Sequence, residues 1–474
     1  MTTRRNFLKT SLVGSAAALM GQDLHASGKQ AVNGLTTDEI PPRKGKSVMN
    51  LRCKPLKTVR IGIIGLGARG QGTTGRLSMA QDAEVVAICD ILPSSVSSAQ
   101  KSLKDNGRKP AAEYVGDESW RKLCERDDID LIYNVTPWTE HAAIALYAMD
   151  CGKHVAIEVP MALTVKDCWA LVDKAEEKQL HCMMLENCCY DYFELATLNM
   201  ARNGVFGEIV HGEGAYNHDL RNYKFTGYYK HWRLEYSKYH TGNPYPTHGL
   251  GPVAQIMGIN RGDRMTYLSS ASSNQFALQE WAKNKLKDDE RITQSQRYLL
   301  GDVNTTMITT ANGKTIMVQH DTSTPHPYSR IHKIQGTKGI AVKYPYERIA
   351  IDPIRPETEF MKEEAQKELM EKYKHPLFES YKQSMNITEE QFRAGHGGMD
   401  FIMDWRLIYC LRNGYPLDQS VYDGAAWSSL VELTERSVLN HSASVAIPDF
   451  TRGEWRNLQP LPVIDMKEVL HGYK

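Results

Sequence analysis

The sequence predicts an α/β protein in which a doubly wound parallel sheet is followed by a C-terminal α+β domain with a largely antiparallel sheet. Three observations carry this expectation. From Val59 onward, short apolar runs alternate with helical stretches, as strands buried between covering helices require. Gly65, Gly67 and Gly70 stand between the first apolar run and its helix, and Asp90 ends the second run. After Tyr192 the texture changes to runs of Thr, Val, Ile and Tyr broken by turn signals, of which Asn312-Gly313 is the strongest.

Taken in order, Val59 to Ile64 is the first strand, Gly70 to Met79 a helix, Glu84 to Cys89 the second strand and Ser94 to Asn106 the next helix. Asp130 to Val135 with the helix Glu140 to Asp150, and His154 to Ile157 with Val165 to Lys178, continue the alternation. His181 to Leu185 adds another buried strand. A helix from Tyr192 to Arg202 then leads into Glu208 to Tyr216. Thr305 to Thr310 and Thr315 to His320 flank Asn312-Gly313 as a hairpin, and Arg330 to Gln335 pairs with Gly339 to Tyr344 around Thr337-Lys338. The charged stretches Glu357 to Lys374 and Glu379 to Phe392 form a solvated insertion. Phe401 to Leu411 and Gly424 to Ser437 are amphipathic helices that return to pack on the first domain. The expected divisions are a signal at residues 1–30, a leader segment at 31–57, a Rossmann domain at 58–190 and a substrate domain at 191–474.

At 474 residues the chain exceeds one ordinary core. Hydrophobic residues at 41%, charged residues at 24% and a net charge of +1 give a globular protein without the basic excess that holds nucleic acid. Small neutral ligands fit better than polyanions. Arg4-Arg5-Asn6-Phe7-Leu8-Lys9, followed by the short apolar run Ser11 to Met20, resembles a Tat export signal. The run is too short to span a bilayer. Such a signal implies a periplasmic or extracytoplasmic destination, with cleavage near Ala26. A chain exported folded takes its cofactor aboard before it leaves. The nine cysteines form an odd set without paired metal spacing, as buried thiols rather than ligands, and no metal is expected.

Gly65-Leu66-Gly67-Ala68-Arg69-Gly70 is a G-x-G-x-x-G turn between strand and helix, and Asp90 lies at the distance of a ribose-binding acid. The glycines admit a pyrophosphate to a helix N-terminus, and the acid favours NAD over NADP. Arg69 pulls the other way, because a guanidinium there is also a phosphate partner. Asn134-Val135-Thr136-Pro137-Trp138 and Glu158-Val159-Pro160 each follow a strand, where ligands of such sheets bind.

These segments resemble the superfamily of glucose-fructose oxidoreductase and inositol dehydrogenase, whose dehydrogenases end the corresponding strand with Glu-Lys-Pro. Val159 replaces that lysine and cannot carry a proton. The departures match one branch. Thr136-Pro137-Trp138-Thr139-Glu140-His141, Glu186-Asn187-Cys188-Cys189-Tyr190, His231-Trp232-Arg233, Asn243-Pro244-Tyr245-Pro246-Thr247-His248-Gly249 and Gly395-His396-Gly397-Gly398-Met399-Asp400 look like glycoside hydrolase family 109. The resemblance implies an α-N-acetylgalactosaminidase with bound NAD. It places Gly65, Gly67, Ala68, Arg69, Gly70, Asp90, Trp138, Thr139, Glu140, His141, Glu158, Val159, Asn187 and Tyr245 at the cofactor. Tyr216, Arg233, Tyr245, Pro246, Thr247, His248 and Tyr328 fall at the sugar.

An ordinary glycosidase needs two carboxyl groups about the scissile bond, and NAD-dependent families are exceptions. Glu158, Glu186, Asp219 and Glu235 are available, but the sequence does not pair them at a sugar. With NAD, oxidation at C3 acidifies the C2 hydrogen. Elimination at C1, water addition and re-reduction then complete hydrolysis without net oxidation. His248 is the candidate acid or base. Tyr190 and Tyr328 serve as proton carriers where a nearby cation lowers their pKa. Two rivals stand: an exported NAD(P)-dependent sugar or cyclitol oxidoreductase with tightly bound cofactor, and a noncatalytic sugar-binding protein that retains NAD. Homo-oligomer formation through the second sheet is a further expectation.

Overall fold

Val59–Ile64 (β1) is buried at every residue but Arg60, because helices cover both faces of its sheet. In chain order the first domain contains β1, α1 (Ala68–Met79), β2 (Ala83–Asp90), α2 (Pro93–Asp105), β3 (Ala112–Val115), α3 (Ser119–Cys124), β4 (Leu131–Asn134), α4 (His141–Asp150), β5 (His154–Ile157), α5 (Val165–Lys178) and β6 (Cys182–Met184). The strand order is β3-β2-β1-β4-β5-β6, with every neighbouring pair parallel. The order reverses between β1 and β4, where a doubly wound sheet opens a crevice at its carboxyl edge. This computed structural model describes residues 40–286, 297–352, 359–378 and 396–464, with residues 31–32, 35–36 and 388. The Tat-like leader at 1–30 and, apart from residue 388, the stretch 379–392 lie outside the described residues.

The second sheet is built from β7 (Ile209–Asn217), β8 (Met265–Ser272), β9 (Val303–Thr310), β10 (Thr315–Asp321), β11 (Lys333–Gly336), β12 (Gly339–Val342), β13 (Arg348–Ile351) and β14 (Val445–Ala446). Its order is β13-β12-β11-β7-β10-β9-β8-β14, antiparallel throughout except for the parallel β7–β10 pair. The Asn312-Gly313 hairpin joins β9 and β10, with Thr309 opposite Thr315. β11 begins three residues later than the sequence predicts because Ile331 and His332 have φ values of 58° and 44°, outside the strand region.

Helices connect the two sheets. They are α6 (Tyr192–Arg202), α7 (Arg221–Thr226), α8 (Trp232–Tyr239), α9 (Thr247–Met257), α10 (Ala277–Lys285), α11 (Glu363–Lys372), α12 (Met399–Asn413), α13 (Val421–Ser428) and α14 (Leu430–Leu439). The expected helix Gly424 to Ser437 is two helices meeting at Ser429, and the first begins earlier, in a capping box of Ser420 with Asp423. α12 is not amphipathic: Met399 through Leu411 are all buried. Its polar residues imitate a solvent face in sequence but form internal ion pairs, Asp404 with Arg76 and Arg406 with Asp418. One apolar core therefore runs through both sheets. A separate cluster of Phe225, Leu234, Leu278, Ala282 and Tyr298 supports α7, α8 and α10. All nine cysteines are free thiols, seven of them buried. Among the described residues no helix is long and apolar enough to cross a membrane.

Candidate active site

The glycine turn after β1 is shaped by close contacts. A Cβ on Gly65, whose φ is 90°, would lie 2.7 Å from the Val135 carbonyl, and one on Gly70 would lie 2.1 Å from the Gly65 oxygen. A Cβ on Gly67 would meet nothing within 4 Å, and no side chain caps the start of α1 there. The turn thus presents an open floor and free N–H groups to a pyrophosphate. Asp90 is fixed at the rim, where its Oδ2 accepts from the Leu66 N–H at 2.6 Å and its Oδ1 from the Leu92 N–H at 2.8 Å. Floor, helix terminus and carboxylate fit NAD. A second cavity, about 310 Å³, is lined by Thr58 and Ala83 at the amino ends of β1 and β2, away from this crevice.

Carboxylates hold the Arg69 guanidinium. Its Nε donates to Glu158 Oε1 at 2.6 Å and its Nη1 to Asp400 Oδ2 at 2.7 Å. Asp400, from the first turn of α12, also accepts from Asn187 Nδ2 at 2.7 Å and lies 2.7 Å from His396 Nδ1. Burial pushes the Asp400 carboxyl up, but Arg69, His396 and Arg76 outweigh it and hold the group well below the usual range. Sequence reasoning missed Asp400 as a partner, although it quoted the motif that ends there. Ala68 begins α1. Val159 is buried beside Glu158, while Thr139 and Glu140 stand exposed before α4. His141 is buried, with Nδ1 and Nε2 each 2.8 Å from a carbonyl oxygen, of Pro160 and Thr136 respectively. It ties two strand-end loops together instead of offering a free ring nitrogen to the cofactor.

The sugar side is aromatic. Trp138 stacks on Tyr245 at 5.7 Å, and Tyr245 lies 4.8 Å from both Tyr216 and His248. Arg233 on α8 sits 4.8 Å from the Trp138 ring centre and 4.9 Å from that of Tyr245, within cation–π range. Pro246 caps α9 and Thr247 is buried at its start. α9 approaches β7 closely, since a Cβ on Gly214 would lie 2.1 Å from the Gly249 oxygen. That approach carries His248 to within 5.4 Å of Tyr216 on β7.

His248 Nδ1 lies 2.7 Å from Oε1 of the fully buried Glu186, which also accepts from the Cys188 N–H at 3.1 Å. Burial pushes the Glu186 carboxyl up, yet the His248 imidazole outweighs it and keeps the acid below its ordinary range. A carboxylate only accepts, so Nδ1 carries the proton and Nε2 is left to take one. Glu186 was visible in sequence only as an available acid; the partner lies 62 residues away. The Cys188 thiol comes within 4.8 Å of both groups, but burial pushes it well up and the dyad already satisfies itself.

The two tyrosines proposed as proton carriers part company. Tyr328 joins the cluster, 6.3 Å from Tyr216, and its hydroxyl accepts from Arg330 Nη1 at 3.1 Å. Its surroundings still raise the phenol, despite Arg330, so it is a donor and not a base. Tyr190 is buried with its hydroxyl 3.5 Å from Asp418 Oδ2, which itself pairs with Arg406. Burial first and Asp418 second raise it well above the usual range. Tyr190 is a packing residue facing α12, which corrects the catalytic expectation.

A family model described as glycosyl hydrolase 109, C-terminal domain, matches residues 190–457, and one described as an oxidoreductase family with an NAD-binding Rossmann fold matches residues 59–186. A Bacteroides fragilis protein named alpha-N-acetylgalactosaminidase is 51% identical over 414 residues, 86% of this chain and 96% of its own. The chain belongs to glycosyl hydrolase family 109. A family 109 protein of Porphyromonas gingivalis is 46% identical over 91% of this chain and 93% of its own, and one of a Shewanella species 45% identical over 97% and 99%. Among solved structures, levoglucosan dehydrogenase in complex with NADH and L-sorbose superposes with a TM-score of 0.63 at 18% identity, covering 83% of this chain and all of that one. Lactobacillus casei myo-inositol dehydrogenase in complex with NAD(H) and myo-inositol gives 0.55 at 19%, covering 83% and 99%. These likenesses establish the shared fold. As a family 109 glycoside hydrolase the chain carries NAD in its first domain, and its site faces that crevice from α9 and β7.

Proposed function

We propose that this hydrolase releases terminal α-linked N-acetylgalactosamine by oxidation at C3, elimination across C1 and C2, water addition and re-reduction. The named activity of the Bacteroides fragilis relative carries the substrate. The carboxylates support the path. Glu158 is bound to Arg69, Glu186 to His248, Asp219 to Arg221 and Glu235 to Lys238, so the four acids considered from sequence do not form a free pair about a sugar.

Bound NAD supplies reversible hydride removal at C3, which the side chains lack. His248, oriented by Glu186, takes the C2 proton at Nε2. The C3 hydroxyl gives its proton to water on oxidation and regains one on re-reduction, and the departing C1 oxygen takes its proton from water. Tyr328 and Tyr245, both held protonated, donate hydrogen bonds to sugar oxygens. Arg233 steadies the oxyanion that develops when the C2 proton leaves. The Tat-like leader supports an exported, periplasmic enzyme that keeps its cofactor, and a homo-oligomer would form through the face of the second sheet.

A chromogenic α-N-acetylgalactosaminide, given to purified enzyme without added NAD, tests the reading. Dye release without lasting reduced-nicotinamide absorbance is expected. Net accumulation of that absorbance would identify an oxidoreductase, and no reaction a binding protein.

A further inference from the structure

Behind Tyr328 stands a buried cluster of four charges. Arg330 is 2% exposed, and its guanidinium bridges the cluster and the tyrosine. Nη1 donates to the Tyr328 hydroxyl at 3.1 Å, while Nη2 donates to Glu194 Oε1 at 2.6 Å and to Asp191 Oδ2. Lys343 Nζ reaches the same two carboxylates at 2.7 Å, so two cations meet two anions. Burial pushes the Glu194 carboxyl up, but Lys343 and Arg330 outweigh it and hold it well below the usual range. The cluster is a charge-balanced anchor, and removing one member leaves an uncompensated buried charge.

The backbone at Arg330 is pinned as well. Its carbonyl accepts from the Ala215 N–H of β7, beside Tyr216, at 2.8 Å and from the His332 N–H at 2.6 Å. The positive φ of Ile331 is an outlier for a β-branched residue. Such strain persists where the surroundings over-determine it.

A guanidinium has donors and no acceptor, whereas a phenol oxygen both accepts and donates. With Arg330 donating to the Tyr328 oxygen, the phenolic proton has to point away from Arg330. Tyr328 is 38% exposed, and among the described residues its hydroxyl has no other hydrogen-bond partner. Its ring lies 6.3 Å from Tyr216 and 5.2 Å from His218. The direction left to the proton is the open crevice beside Tyr216.

We propose that Arg330 is a positioning residue of the sugar site: it fills the acceptor side of the Tyr328 oxygen and so turns the phenolic proton toward the substrate, with Asp191 and Glu194 as its anchor. The inference rests on the hydrogen bond from Tyr328 to the sugar in the function proposed above. Arg330 acts through Tyr328 and needs no contact with the substrate.

A double-mutant cycle on the NAD-loaded enzyme tests it. Arg330→Lys keeps the charge that balances Asp191 and Glu194 but lacks the second arm of the fork. It should lower kcat/KM for a chromogenic α-N-acetylgalactosaminide at least about tenfold, the size of a hydrogen bond to a charged group, with NAD content unchanged. Tyr328→Phe should cost at least as much. With Tyr328→Phe already present, adding Arg330→Lys should change the rate by less than about twofold, because both act through one hydroxyl. A merely structural role would make the two losses multiply, which would overturn the inference, as would a wild-type rate in Arg330→Lys. If Arg330→Lys does not fold, Asp191→Asn supplies the second cycle. Its side chain can still cap α6 at the Tyr192 N–H while the anchor weakens. A loss of at least about threefold that vanishes beside Tyr328→Phe is expected there, and an additive loss would again overturn the inference.

Calorimetric binding of N-acetylgalactosamine to the same proteins separates the inference from the activity. Coupled losses of binding in a wild-type enzyme that hydrolyses nothing would keep the positioning role and refute the activity. Hydrolysis by wild type with uncoupled losses in both readouts would overturn the positioning role alone. A wild-type rate in Tyr328→Phe would remove Tyr328 from the proposed chemistry and overturn this inference with it.

Discussion

On the cofactor side of the crevice the charged groups meet partners: Arg69 holds Glu158 and Asp400, Arg76 holds Asp404, and Asp90 is bound by two backbone N–H groups. On the sugar side Arg233 and Lys224 face tyrosines, a histidine and a serine. The first arrangement suits a ligand that stays. Internal ion pairs lock the turn to α12, and removing either partner leaves an uncompensated charge. The second suits ligands that come and go, since Arg233 Nε and His320 Nδ1 are buried there without a partner. Cofactor and substrate are thus held by different physics, in halves that meet where Trp138 stacks on Tyr245 at 5.7 Å.

If the halves divide this way, substitutions on the sugar side should stop turnover and leave the cofactor in place. His248→Ala should lower kcat by at least about 100-fold with unchanged NAD content after dialysis, measured by release on denaturation. Loss of NAD alongside activity would erase the division. Glu186→Gln should cost about 10- to 100-fold through misorientation of the imidazole. Because Glu186 acts through His248, the kcat-against-pH profile should also change, whereas a purely structural loss would scale it uniformly.

The converse holds across the crevice. Asp400→Asn should release NAD on dialysis, and added NAD should restore much of the rate. Its stability effect has a defined pH sign. The Asp400 carboxyl is held well below its ordinary value of 3.8. The stability it gives is therefore complete above that value and is lost as pH falls below it. The melting-temperature gap between wild type and Asp400→Asn should stay constant from pH 7 to about 5 and narrow in stronger acid. A gap that widens in acid would contradict the Arg69–Asp400 link. The smallest effect is expected for Tyr190→Phe, whose hydroxyl makes one long contact with Asp418: less than about twofold in kcat, and about 1 kcal/mol of stability.

The same division explains what the sequence disclosed. The glycine turn, Asp90 and the strands around them are legible because their partners are close neighbours in the chain, and the sheet order follows from alternation. Arg69 is ambiguous in sequence because Asp400 lies 331 positions away. Glu186 is quoted within a motif yet acquires its role only when α9 crosses β7. Tyr190 lies in that same motif, but its ring turns toward α12, which motif position does not encode. β3 was missed because it is a four-residue strand at the sheet edge with alternating exposure, too brief to register as an apolar run.

The central claim is that the bond between C2 and hydrogen breaks during hydrolysis. Hydrolysis of an α-N-acetylgalactosaminide in deuterium oxide, with the released sugar read by proton NMR, tests it directly. The His248 side chain is 13% exposed, so its proton exchanges with solvent between turnovers. One deuterium at C2 is expected in the product. Product formed at the full rate with hydrogen retained at C2 would contradict the elimination path.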